Sequence, residues 1–158
     1  MAKFKLTETI HSEKVRTVRL GDKATPLADA DVSKAVKLVG DSRYDLAAAG
    51  DSIEGFVSSI TYGTYDGYVT GGIVQTGTKE VILDGLQATP GTGTIAVGDI
   101  VVTGRVTARG TPLTQGTFGL APRVCKATDA STITFKWRVE SLIDGSGAVG
   151  SRALIARI

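Results

Sequence analysis

The chain has 158 residues, 42% hydrophobic and 22% charged, with a formal net charge of +2. That is one domain's worth of sequence, and the charge is too small to imply nucleic acid or anionic lipid as a partner. Glycine occurs 20 times and threonine as often. Glycine costs about 1 kcal/mol at an interior helical position and threonine loses χ1 freedom there, so a helical bundle, a coiled coil and a disordered tail are excluded.

Taken in chain order, short runs with period-2 alternation or dense β-branched content recur. Lys3–Thr9 alternates around Phe4 and Leu6, and Val15–Leu20 sets Val18 and Leu20 on one face. Pro26–Val39 is the one helical candidate, with Thr25 as N-cap and Gly40 at C′. Ala35–Val39 fits a strand equally well, so we expect a turn or 3₁₀ piece near Leu27–Asp31 and then a strand. Further strands are expected at Ile53–Ile60, Val69–Gln75, Glu80–Leu83, Asp99–Val106, Arg123–Ala127, Thr132–Leu142 and Arg152–Ile158. Gly-Asp and Asp-Gly pairs punctuate them, and Asp-Gly favours hairpin turns. In Thr132–Leu142 the residues Ile133, Phe135, Trp137 and Val139 share one face, which makes Trp137 a core anchor. The final strand is expected to close the fold or to lie at a subunit interface, because a chain end frays unless tied down. The fold class expected is mainly β: a single antiparallel β-barrel or sandwich domain over residues 24–158, with residues 1–23 as an N-terminal arm or the first strands.

Cys125 is the single cysteine, so no intrachain disulfide can form; this fits a reducing cytoplasm. With the single histidine, His11, it is too little to build a zinc site. The segment MAKFKLTETIHSEK has no apolar core and does not read as a secretory signal. No stretch approaches the roughly 18–20 apolar residues of a membrane helix, so a soluble protein is expected. Charge is unevenly spread. Residues 1–23 and 123–158 are net basic, and residues 24–122 are net acidic, an asymmetry that can orient a subunit against a partner.

Several motifs resemble chemistry without carrying it. Gly145–Gly150 matches G-x-G-x-x-G, but the chain given runs only to Ile158, leaving no room for the helix and acidic residue a dinucleotide site needs. Pro90–Thr94 has glycines but no lysine after them. Asp41, Asp45 and Asp51 lack EF-hand spacing and read better as turn residues. Tyr62, Tyr65 and Tyr68 cluster around Asp66-Gly67 with no Lys or Arg between Ser58 and Thr78, which argues against a nucleic-acid stacking platform. They read as hairpin cross-strand pairs or an oligomer contact. A weak echo joins GDSIEG at Gly50–Gly55 with GDIVVTG at Gly98–Gly104; two occurrences do not make a repeat array.

The stretch KAVKLVGDSRYDLAAAGDSIEGFVSSI at Lys34–Ile60, followed by YDGYVTGGIVQTG at Tyr65–Gly77 and GTIAVGDIVVTG at Gly93–Gly104, resembles tailed-phage capsid decoration (cement) proteins in texture and order. That resemblance implies no enzyme activity, no cofactor and no metal. It implies a protein that binds the outer capsid surface of a virion assembled in the host cytoplasm. There it would reinforce joints between major capsid protein subunits, usually as a trimer or dimer. Lys3, Lys5, Lys14, Arg16 and Arg19 are the candidate capsid contacts, in a basic arm that an acidic shell surface could attract. Tyr62, Tyr65, Tyr68, Leu154 and Ile158 are the candidate oligomer contacts. A virion-associated β-domain that binds a host receptor or carbohydrate is the alternative.

Overall fold

The computed structural model describes residues 15–62, 66–117 and 119–158. It is 45% strand and 4% helix, so the fold is mainly β. Among the described residues eleven strands follow one another: β1 (Val15–Leu20), β2 (Ala35–Gly40), β3 (Arg43–Leu46), β4 (Gly55–Thr61), β5 (Thr70–Val74), β6 (Thr78–Leu86), β7 (Thr89–Pro90), β8 (Ile100–Thr103), β9 (Arg123–Lys126), β10 (Trp137–Leu142) and β11 (Arg152–Arg157). Short 3₁₀ turns occupy Asp29–Asp31 and Ala130–Thr132.

These strands make two small barrels in tandem, not one large one. In the first, the order is β1-β3-β2-β4-β5, and β5 closes onto β1. In the second, the order β11-β10-β8-β9-β6 closes through β11 onto β6, with β7 added at the edge of β6. Each barrel has one parallel pair, β1 with β3 and β6 with β9, and every other ladder is antiparallel.

The two barrels share connectivity and also register. Leu20 pairs with Tyr44 as Leu83 pairs with Val124. Val18 pairs with Gly71 as Val81 pairs with Ala153. Val36 pairs with Gly55 as Val101 pairs with Trp137. The β4–β5 ladder slips between Val57 and Ser59, and the β10–β11 ladder slips between Val139 and Ser141, at the corresponding place. At the end of the first strand of each barrel, Gly21, just past β1, bridges Pro26, and Gly85, near the end of β6, pairs with Pro90. Both glycines lie at positive φ (79° and 81°), where a side chain would be strained. The sequences around them, Val18-Arg-Leu…Ala24-Thr-Pro26 and Val81-Ile-Leu…Ala88-Thr-Pro90, carry the faint trace of this repeat.

The interiors match position by position. Val18, Leu20, Leu27, Val36, Tyr44, Val57 and Ile73 are buried in the first barrel. Register places Val81, Leu83, Val101, Val124, Val139 and Ile155 of the second barrel at the positions of Val18, Leu20, Val36, Tyr44, Val57 and Ile73, and all are buried; Ile95, like Leu27, is a buried residue of the connection to the next barrel strand. Two positions exchange bulk: Tyr44 with Gly55 in one barrel becomes Val124 with Trp137 in the other, which keeps the small interior filled. Trp137 is fully buried, and its Nε1–H donates to the Ile53 carbonyl at 3.0 Å. Phe56 of the first barrel meets its ring edge-on, with centroids 5.1 Å apart at 77°. Ala35, Ala47, Ile53 and Phe56 thus join the core of the second barrel, while the interior of the first barrel forms an apolar cluster of its own.

Most of the expected strands are present, with two corrections. The strand expected from Thr132 begins only at Trp137, because Ala130–Thr132 is a 3₁₀ turn capped by the Asp129 side chain. Within Pro26–Val39 the expected 3₁₀ turn is present at Asp29–Asp31 and leads into β2. β3, read from sequence as an aspartate-rich loop, is a barrel strand that buries Tyr44. Val15–Leu20 is a strand paired on both sides, so this part of residues 1–23 belongs to the first barrel. β11 is likewise paired on both sides and closes the second barrel.

Candidate functional site

The barrels differ most in one connection. Between β2 and β3 the chain turns through Asp41 and Ser42, both at positive φ. The corresponding connection, between β8 and β9, runs from 104 to 122 and crosses back over the first barrel. Loops of this length without regular structure are uncommon in compact domains unless something holds them. Three buried carboxylates do so, each accepting a main-chain N–H of the loop. Asp84 takes Arg105 N–H at 2.9 Å, Asp31 takes Gly110 N–H at 2.8 Å, and Glu80 takes Thr117 N–H at 2.8 Å.

Each acid is 5% exposed or less, so each needs compensation for the water it loses. Asp84 receives Arg105 Nη2 at 2.6 Å and Arg123 Nη1 at 3.3 Å. Asp31 receives Lys34 Nζ at 2.7 Å, and the same ammonium donates to the Ala108 carbonyl at 2.7 Å. Burial pushes both aspartates up. Hydrogen bonds from Arg105, and for Asp31 from Lys34, Ala28 and Gly110, outweigh it and hold both below the ordinary carboxylate range. Glu80 explains Gly116: a Cβ there would lie 2.7 Å from the carboxyl group. Arg109 adds a clamp, donating to the Thr25 carbonyl at 2.8 Å and to Asp45 at 2.6 Å.

Under the loop lies a cavity of about 170 Å³, walled chiefly by Leu46, Ala47, Val106, Leu113 and Pro122. Thr103 also lines it, and its Oγ1 is buried with no hydrogen-bond partner among the described residues. The cations around the cavity, Lys34, Arg105, Arg109 and Arg123, are each engaged by Asp31, Asp84 or Asp45. Cys125 is buried nearby, its thiol pushed up to about 11 by burial first and then by the Asp84 charge. A thiol held so far above neutral is a poor nucleophile.

The residues singled out from sequence scatter over the surface. Lys3, Lys5, Lys14, His11 and Tyr65 lie outside the described residues. Arg16 is exposed, with Nη1 3.5 Å from the Tyr44 hydroxyl. Arg19 pairs with Asp66 at 2.8 Å and lies 4.9 Å from the centre of the Tyr68 ring. Lys23 lies at the same distance from that ring. The tertiary fold therefore supplies the cations that the local sequence around the tyrosines lacks. Tyr62 is 55% exposed, and its hydroxyl accepts the Asp29 N–H at 3.1 Å. Leu154 is half-buried on β11 and Ile158 is 56% exposed. Asp41, Asp45 and Asp51 do not converge: Asp45 binds Arg109 and Asp51 binds Lys37 and the Ala48 N–H. No cluster of three or more metal-ligating side chains occurs among the described residues. The Gly145–Gly150 loop is the turn between β10 and β11, where Gly147 carbonyl accepts the Ile95 N–H at 2.9 Å. No helix among the described residues is long and apolar enough to cross a membrane.

The buried acids and the loop they hold escaped the sequence reading. Asp31, Glu80 and Asp84 sit in strands or turns where an acid reads as solvent-facing, and the loop N–H groups they accept are remote in sequence. Comparison with family models, curated proteins and solved structures gave no match.

Proposed function

We propose that the protein is a structural component of a tailed-phage head. In this reading it binds the outer surface of the capsid and reinforces joints between major capsid protein subunits. The sequence resemblance over Lys34–Gly104 motivates the reading. One observation supports it: the buried charges Asp31, Lys34, Glu80 and Asp84 all fasten the chain's own 104–122 loop to its body. In an enzyme, buried charges are expected to converge on a cleft and face substrate. Here they are bonded to the chain's own loop and hold it against the body, which suits a protein whose work is to present a fixed footprint many times over a lattice.

The basic segment holding Lys3, Lys5, Lys14, Arg16 and Arg19 is the proposed capsid contact. The test mixes the purified protein with shells of its phage that lack it, with and without residues 1–14, and measures occupancy by electron microscopy. Binding at many equivalent sites across the shell, reduced on removing residues 1–14 while the body stays folded, supports the reading. Binding confined to a few spikes or tail positions favours the receptor or carbohydrate alternative. No binding to the shell overturns the proposal.

A further inference from the structure

The repeat places an occupied edge in one barrel opposite an unoccupied one in the other. β8 pairs with β10 only at Ile100 and Val101. Beyond them, the main chain of the first barrel takes over: Gly50 N–H donates to the Thr103 carbonyl at 2.8 Å, and Thr103 N–H donates to the Asp51 carbonyl at 3.0 Å. This is strand-like pairing of one barrel's edge with a loop of the other. β2 likewise pairs with β4 only at Ala35 and Val36. The residue of β2 that corresponds to Thr103 is Leu38, since Val36 matches Val101 and both pair with the first residue of the fourth barrel strand. Leu38 pairs with Tyr44 of β3 on one side; on the other side, the one that corresponds to the Thr103 contact, no main chain among the described residues takes its N–H, which donates to a Glu54 carboxylate oxygen at 3.2 Å. Leu38 is 48% exposed and Val39 40%. Two adjacent exposed aliphatic residues, on a strand whose side away from β3 has no strand beside it past Val36, invite addition of one there.

We infer that the Leu38–Gly40 edge of β2 docks the 128–134 loop of a second copy of this chain, in a head-to-tail contact that repeats the contact between the two barrels. The loop is chosen by the same correspondence. The segment that occupies Thr103 lies between β3 and β4 of the first barrel. Its counterpart, between β9 and β10, includes the exposed residues Thr128, Asp129, Ser131, Thr132 and Thr134. A contact between unlike surfaces either closes into a ring or propagates, and a ring gives the oligomer the decoration reading needs. The inference itself rests on the repeat and not on that reading.

Two measurements on the full chain test it. Sedimentation compares wild type with a Leu38→Lys, Val39→Lys variant, whose melting temperature should match wild type because both side chains already face solvent. The wild type should associate, and the variant should lose association by more than about tenfold. Separately prepared Val39→Cys and Thr132→Cys proteins should form a disulfide-linked pair only when mixed; the buried Cys125 stays out of this reaction. A wild type that stays monomeric at all concentrations overturns the inference, as does a lysine variant that associates like wild type. Cross-linking of Val39→Cys with itself would show that two β2 edges meet, which also overturns the head-to-tail contact. If the lysine variant misfolds, the cysteine pair decides alone.

Discussion

Removing the Asp84 carboxylate should free the 104–122 loop at its first anchor. Asp84 is fully buried and accepts Arg105 N–H at 2.9 Å, Arg105 Nε at 3.0 Å and Arg105 Nη2 at 2.6 Å. Hydrogen bonds to a charged group contribute about 1.5–3 kcal/mol each. The Arg105 side chain is 55% exposed, so in an Asp84→Ala variant its guanidinium returns to water and most of its share is recovered. What remains is the main-chain N–H left without its acceptor and the small void, together about 3 kcal/mol. For a chain of this size that lowers the melting temperature by about 6–12 °C. Trypsin should cut the variant faster after Arg105 and Arg109, which lie in the loop. The acid dependence has a fixed sign. The folded-state pKa of Asp84 lies below its ordinary value, so its contribution is complete above about pH 4 and is lost as pH falls through the folded value. The gap in melting temperature between wild type and Asp84→Asn should therefore narrow only in acid below about pH 4. An Asp84→Ala protein that melts within about 2 °C of wild type, and is cut at the wild-type rate, would refute the reasoning.

Two further outcomes are expected. Trp137→Ala removes the largest buried side chain, the Ile53 hydrogen bond and the Phe56 ring contact at once; calorimetry should show a loss of about 3–5 kcal/mol, and an unchanged midpoint would mean that the barrels do not pack through this ring. Cys125, buried with its thiol pushed up to about 11, should resist a thiol reagent at pH 8 in the native protein and react at once in denaturant; rapid native labelling would contradict its placement.

The strands were legible because each carries its own evidence. Val15–Leu20, Ala35–Gly40 and Arg152–Arg157 carry local β character, and Gly-Asp pairs mark the ends of the first two, so no remote partner was needed to see them. β3 was missed because Arg43-Tyr-Asp-Leu46 has only two apolar residues, and three nearby aspartates suggested a turn. The echo between the two Gly-Asp segments was real but of another kind. In both, the Asp side chain and main chain close a turn on an alanine three residues earlier, Ala48 with Asp51 and Ala96 with Asp99. These segments are not corresponding places in the repeat; Asp51 is instead bonded to the main chain of Thr103 in the other segment.

Composition and alternation by themselves determined that this chain is a β protein with Trp137 in its core. Only the tertiary structure decided that the strands close as two barrels of one design, because register is set by hydrogen bonds between residues far apart in sequence. A barrel interior asks only for volume at each inward position, so Tyr44 with Gly55 can stand where Val124 with Trp137 stands, and the repeat persists in space after most of its letters have diverged. The buried acids follow the same logic. Whether an aspartate faces water or a loop's N–H depends on where a distant segment lands, and nothing within a few residues of Asp31 or Asp84 records that.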